Sequence, residues 1–309
     1  MDGGSIPDYE DPDFTINDPY GTEFELSVLE RSVPKHNRWA LDAGCGYGRL
    51  SEIICERSDR VIFLDYSLSN LRRAKEKYYL GESKRYFILA DIGKLPLKDG
   101  SLNLITSIRV LHHLSTPEIY ISEFSRCLVP GGYEILSFNS GDNAAILLSF
   151  IINRILGTNL MGIGFNPLSG KTVMAGNSPP NRRIYFYRYG HIIRTAKSMD
   201  LRYIIAHYHG GISDSASRHG AIVSNISRRA ENAVFGKKIS RYLFPNSYMV
   251  FSKSGSIESG EHEDLEDILA CPICRTDIRL SVDKATCTTG HSFPLREGII
   301  DFRIGMPSA

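Results

Sequence analysis

The chain is poor in several things at once. It has one tryptophan and six cysteines in 309 residues, and its formal net charge is only +1. Near-neutral charge argues against a chain that binds polyanions over its whole surface. Cysteines this few, and this unevenly placed, do not make a disulfide-stapled scaffold. No long apolar run is present. The longest, near Ala144–Ile152, is closed by Asn153 and Arg154. A membrane span needs roughly 20 such residues, so a buried or interfacial helix is expected and no transmembrane segment. The opening Met1–Phe14 is acidic and polar, without the basic start and apolar core of a signal peptide. The expectation is a cytoplasmic protein with reduced thiols. No internal repeat is visible.

What is present is unevenly distributed. Between Arg182 and Arg241 there are twelve Lys/Arg against three Asp/Glu, and the stretch Glu258–Asp267 is acidic. Such asymmetry suggests an anionic partner at the basic block. The length allows one large and one small domain. From Arg38 to Asn139, apolar strand-like runs alternate with helical spacings. That alternation predicts an α/β fold with a parallel, doubly wound, Rossmann-like sheet. Residues 1–37 read as a lead-in segment and 38–252 as the α/β domain. An insert at 140–184 carries the apolar run and then a stretch rich in Gly, Asn, Pro and Ser. Residues 253–264 read as a linker, and 265–309 as a compact ending.

The first strand runs into Leu41-Asp42-Ala43-Gly44-Cys45-Gly46-Tyr47-Gly48. Glycines here permit a sharp turn and close backbone approach to a ligand at the start of the next helix. Asp65 ends the second strand and Asp91 the third, so three carboxylates should converge at the carboxyl ends of the strands. Asp42 inside the loop would repel a pyrophosphate but attract a ligand bearing a sulfonium and an ammonium. Charge therefore favours S-adenosylmethionine over a dinucleotide.

The segments LDAGCGYGRL, VIFLDYS, ADIGKLPL, LITSIRVLHHL and LVPGGYEIL resemble, in order and spacing, the successive motifs of class I S-adenosylmethionine-dependent methyltransferases, over about residues 38–138. The resemblance implies that Asp42 and the loop Gly44, Cys45, Gly46 and Gly48 hold the methionine end of the cofactor. It implies that Asp65, with Tyr66 beside it, holds the ribose, that Asp91 and Ile92 frame the adenine, and that Ile108 lines the floor. Ser107-Ile108-Arg109-Val110 lacks the Asn/Asp-Pro-Pro-aromatic sequence of adenine N6 enzymes. In this chemistry the methyl group arrives already activated, so positioning the acceptor and excluding water supply much of the rate. Arg109 and His113, after the fourth strand, are the candidates to clamp an anion and to act as base.

Near the C-terminus Cys271-Pro272-Ile273-Cys274 is followed, after twelve residues, by Cys287-Thr288-Thr289-Gly290-His291. Three thiolates and an imidazole at this spacing suit a closed tetrahedral zinc site, and a segment so short needs the metal to fold. LACPIC…HSFPLREGIIDF resembles the zinc ribbon of methyltransferase-activator proteins, in which a fourth cysteine stands where this chain has Thr289. The zinc ribbon of rRNA guanine methyltransferases has three cysteines and a histidine instead, as Cys271, Cys274, Cys287 and His291 would be here.

These features point to RNA, a tRNA or rRNA base or base substituent, as acceptor along the basic block 182–241, whose Arg182, Arg183, Tyr185, Tyr187, Arg188 and Tyr189 interleave cations with aromatics. The alternative is a quinone- or lipid-like small molecule, because the same motifs resemble quinone-biosynthesis methyltransferases and the apolar insert would suit a greasy acceptor. A non-catalytic S-adenosylmethionine binder is a third reading.

Overall fold

The computed structural model describes residues 19–79, 84–157, 168, 171–178, 182–209, 240–256 and 262–303. Helix α1 (Pro19–Ser32) leads into β1 (Asn37–Ala43), α2 (Ser51–Glu56), β2 (Ser58–Asp65), α3 (Leu68–Tyr78), β3 (Arg85–Leu89) and β4 (Leu102–Ser107). A short turn of 3₁₀ helix, Leu111–His113, precedes α4 (Pro117–Cys127) and β5 (Leu128–Ser140). Then follow α5 (Ala144–Leu156), β6 (Val173–Ser178), β7 (Arg182–Tyr187), α6 (Tyr189–Ser198), β8 (Leu201–His209), α7 (Ser240–Leu243) and β9 (Asn246–Lys253). Helix α8 (Leu265–Ile268) and strands β10 (Ile278–Leu280), β11 (Lys284–Cys287), β12 (Ser292–Arg296) and β13 (Ile299–Asp301) close the chain.

Local chemistry accounts for several boundaries. Ser67 caps α3 by accepting from the Asn70 amide. Pro117 occupies the first turn of α4, where its missing N–H costs nothing. Strands β1, β2 and β4 are almost continuously buried, as parallel strands covered on both faces must be.

The parallel core runs β3-β2-β1-β4-β5, so the strand order reverses between β1 and β4. Antiparallel β9 pairs with β5 from Tyr133 to Asn139 and with β8 beyond it. The insert does not stand outside the sheet: β7 pairs in parallel with the end of β5, and β6 pairs antiparallel with β7. Nor is the N-terminal region only a lead-in. Leu29 of α1 and Val33 just after it pack with Ala40, Val61 and Ile54 in the core of one sheet face.

The expectation of two cores joined by a linker is overturned. Strand β13 pairs in parallel with β3, Ile299 opposite Phe87 and Ile300 opposite Ile88, so the C-terminal module extends the central sheet. Its Ile268, Leu269, Ile278, Phe293 and Phe302 belong to the same apolar cluster as Ile88, Leu95, Leu97 and Phe124. Arg72 makes two hydrogen bonds to Glu297, at 2.9 and 3.0 Å. Arg275 donates to the Leu95 carbonyl at 2.7 Å. The end of the stretch read as a linker is docked as well: Glu263 takes ion pairs from Arg38 and Arg60, and the Trp39 indole donates to the His262 carbonyl at 3.0 Å.

One residue fits this core badly. Glu134 on β5 is fully buried, neither carboxylate oxygen has a hydrogen-bond partner, and its strand neighbours are Ile105 and Phe251. Burial pushes its carboxyl up to about 8. The folded-state value lies above the unfolded one, so the fold holds the protonated acid. The penalty is absent below the unfolded value of about 4.5 and grows as pH rises towards about 8, with a ceiling of about 5 kcal/mol. Glu134→Met should therefore raise the melting temperature little at pH 5 and by several degrees at pH 8.5. A gain that is the same at both pH values, measured by calorimetry, would count against a neutral buried Glu134.

Candidate active site

The glycine loop is built by backbone demands. Gly44, Gly46 and Gly48 all have positive φ, at 74°, 56° and 75°. At Gly44 the demand is also steric, since a Cβ there would lie 2.5 Å from a Val110 methyl. At Gly46 a Cβ would meet nothing within 4 Å, so the crest of the loop faces open space. The Gly44 and Cys45 amides donate to the Leu64 carbonyl, tying the loop to β2.

Around this loop the strand order places three carboxylates at the carboxyl ends of β1, β2 and β3. Asp42 is buried, accepts from the Ser51 and Thr106 hydroxyls, and is pushed up to about 6 by burial. Asp65 accepts from the Gly46 amide at 2.7 Å and the Ser67 amide at 2.9 Å. Asp91 accepts from the Gly93 amide at 2.8 Å, and Ile92 beside it is buried. Asp42, Gly44, Cys45, Arg49 and Ile108 line a cavity of about 50 Å³ with Leu29 of α1 above them. Burial and the nearby Asp65 and Asp42 push the Cys45 thiol well above its usual range, which leaves it an unreactive lining group. Tyr66 meets an unforeseen neighbour, the guanidinium of Arg303 at 5.8 Å, which Asp301 holds at 2.8 Å. A larger cavity, about 840 Å³, lies at the opposite, amino ends of the strands beside Arg38, Arg60 and Glu263. In an open parallel sheet it is the carboxyl ends at the switch point that bind ligands, so size does not locate this site.

Arg109 has a left-handed backbone, φ 60°, and its amide donates to the Ser137 hydroxyl at 2.7 Å. Its guanidinium is clamped within the protein by Glu25. Glu25, missed in the sequence, is a fully buried α1 carboxylate that also takes Arg49 at 2.6 Å and the Tyr248 hydroxyl at 2.9 Å. Only its helical phase among Leu26 and Leu29 marked it as inward-facing. His113 lies beside His112, ring centroids 3.9 Å apart and ring planes tilted by 56°. Burial, then His113 and Arg109, hold His112 well below the usual imidazole range, so it is neutral near pH 7.

The basic block is partly spent on structure. Tyr187 is fully buried and donates to the Leu111 and Leu114 carbonyls. Arg188 pairs with Asp142 at 2.7 Å, and Arg241 lies over the Tyr189 and Tyr242 rings. The side chains of Arg182 and Arg183, and residues 210–239, lie outside the described residues.

In the C-terminal module Cys271, Cys274, Cys287 and His291 converge, their ligand atoms all within 4.8 Å of one another. The Cys274–Cys287 sulfurs are 3.7 Å apart, and the His291 Nδ1 lies 3.7, 3.5 and 3.3 Å from the sulfurs of Cys271, Cys274 and Cys287. A tetrahedron with Zn–S of about 2.3 Å and Zn–N of about 2.0 Å has S–S edges of about 3.8 Å and S–N edges of about 3.5 Å. The donor set fits that ion in spacing and in kind. Hydroxyls of Thr276 and Thr289 pull the Cys274 thiol down to about 5, towards the thiolate a metal requires.

Comparison with known proteins agrees with this geometry. Residues 41–136 match the family model described as a methyltransferase domain. A malonyl-[acyl-carrier protein] O-methyltransferase of Hamiltonella defensa is 33% identical over 115 residues, 37% of this chain and 43% of that protein. An uncharacterized chloroplastic methyltransferase of Arabidopsis thaliana is 33% identical over 121 residues, 37% of this chain and 34% of its own length. The chain thus spans less than half the length of these curated relatives. Among solved structures, a proposed S-adenosylmethionine-dependent methyltransferase from Listeria monocytogenes superposes with a TM-score of 0.55 at 13% identity, over 76% of this chain and 99% of that one. At that identity the likeness is one of fold. Strand order and sequence match coincide: residues 41–136, which carry the glycine loop, match a methyltransferase domain, and the fold is the one shared with the Listeria structure.

Proposed function

We propose that the chain transfers a methyl group from S-adenosylmethionine to a small acceptor with an apolar body. The observation that carries methyl transfer is the glycine loop at the switch point, its Gly46 amide held by Asp65, with Asp42 and Asp91 at the neighbouring strand ends. When bound, the cofactor supplies an activated methyl group. Asp65 and Asp91 would hold its hydroxyls and base, and the acidic loop suits its positive charges. Leu29 and Ile108 give that end of the cleft apolar walls.

The apolar acceptor is favoured by α5, which rises from the end of β5 at the cleft rim and keeps large aliphatic side chains exposed. An RNA acceptor, the sequence's first suggestion, has less support, because Tyr187 is buried and Asp142 holds Arg188. Incubation with labelled S-adenosylmethionine should move label into a lipid and small-molecule extract. Label in the tRNA or rRNA fraction alone would reverse that order. We also propose that the Cys/His cluster holds one structural zinc ion.

Asp65→Ala should weaken S-adenosylmethionine binding by on the order of 2–3 kcal/mol, because the variant loses acceptors for ribose hydroxyls and leaves the Gly46 amide unpaired. Titration calorimetry measures this. Unchanged affinity, or tighter binding of NAD than of S-adenosylmethionine by the native protein, would refute the cofactor assignment.

A further inference from the structure

Helix α5 is anchored on one side and bare on the other. Asn143, buried at the end of β5, caps it by accepting from the Ile146 amide at 3.1 Å, and Ile146 is buried. Leu148, Ile151, Ile152, Ile155 and Leu156 recur at positions i, i+3, i+4, i+7 and i+8, so they form one stripe. All five are exposed, Ile155 by 75% and Leu156 by 61%. The neighbouring α7 adds exposed Tyr242 and Leu243. Scattered exposed aliphatics are common, but a contiguous face of this size marks an interaction surface.

Charge indicates what covers it. Between Asp142 and Asp200 the chain carries no Asp or Glu and seven Lys/Arg; Asp142 holds Arg188, and Arg154 stands in the last turn of α5. A protein groove for an amphipathic helix needs no such one-sided charge. An anionic bilayer does, since apolar side chains enter the acyl boundary while cations meet the headgroups. No helix of the described residues is long and apolar enough to cross a membrane, so the geometry is that of a helix lying on the surface.

We propose that the exposed face of α5, extended by Tyr242 and Leu243 of α7, seats the protein on an anionic lipid bilayer. This places the cleft rim against the membrane. The end of β5, from which α5 rises, is joined to the Arg109 loop through Ser137 and to β7 through Arg188 and Asp142. An apolar acceptor dissolved in the bilayer would then reach the cleft without crossing water. That last step rests on the apolar-acceptor reading, whereas the docking itself does not.

Flotation with vesicles of phosphatidylcholine, alone or with about a third phosphatidylglycerol, tests the docking apart from catalysis. The full chain should float with the phosphatidylglycerol vesicles and much less with the neutral ones, and high salt should release it. Ile151→Asp/Ile155→Asp should lower the partition by about tenfold or more, because two apolar anchors become charges. S-adenosylmethionine affinity of that variant, by calorimetry, should equal that of the native chain, which shows that the fold is kept. Absence of flotation with either vesicle, or flotation indifferent to the substitutions, overturns the proposal. A dimer that light scattering shows to vanish in the variant, without vesicle binding, assigns the face to a second copy instead. Label appearing only in RNA while the vesicle results hold would remove the apolar-acceptor reading and leave the docking standing.

Discussion

Cys271→Ser/Cys274→Ser protein should lose its zinc and melt, as a whole, more than about 10 °C below the native chain. The reason is the shared sheet. Strand β13 is hydrogen-bonded to β3, and Leu269, Ile278, Phe293 and Phe302 complete a cluster that also contains Ile88 and Leu97. Structural zinc contributes on the order of 10 kcal/mol to isolated small folds. Without it the module cannot keep its strands, β3 becomes an exposed edge and apolar area on Leu95 and Leu97 opens to water. About 1 kcal/mol lowers the melting temperature of a domain this size by about 2–4 °C, so even partial transmission of the loss is visible. Calorimetry alongside elemental analysis decides it. Stoichiometric zinc in the variant would show that the ligand set is misassigned. Two separate transitions, the upper at the native temperature, would show that the module's core stands apart after all.

The second large effect belongs to Glu25. Glu25→Ala should cost about 3–5 kcal/mol, because it strips the counter-ion from Arg49 and Arg109 and an acceptor from Tyr248 inside the fold. The gross attraction between these charges says little about net stability, since desolvation opposes it. Removing the buried carboxylate that two guanidinium groups share has no such offset. Glu25→Gln keeps the shape and some of the hydrogen bonds and should fall between the two. Chemical denaturation gives the ranking. If Glu25→Ala is within about 1 kcal/mol of native, Arg49 and Arg109 find water or other partners readily, and the clamp is not a structural element. Because Arg49 lines the cavity at the glycine loop, the same variant reports whether Glu25 keeps it in place there.

The sequence by itself determined the parts whose signal is local. The glycines at 44, 46 and 48 follow from a backbone that must turn at positive φ, and Asp65 and Asp91 from the ends of apolar runs. Cys271, Cys274, Cys287 and His291 stand at a spacing that suits a small closed site, and their ligand atoms come within 4.8 Å of one another. Each of these patterns lies within a few turns of chain, where periodicity and turn chemistry act. Tertiary structure decided what depends on residues far apart in the chain. Glu25 meets Tyr248 across 223 positions, and Trp39 meets His262 across an equal distance, and no repeat or spacing encodes either encounter. An edge strand such as β3 offers its free N–H and C=O groups to any extended segment, so pairing with β13 was open to the chain but not written in its pattern. The same holds for Arg188, which composition assigns to a basic surface and folding assigns to Asp142. A cation's partner is set by which carboxylate the completed sheet brings within reach, and that is settled only when every strand has found its place.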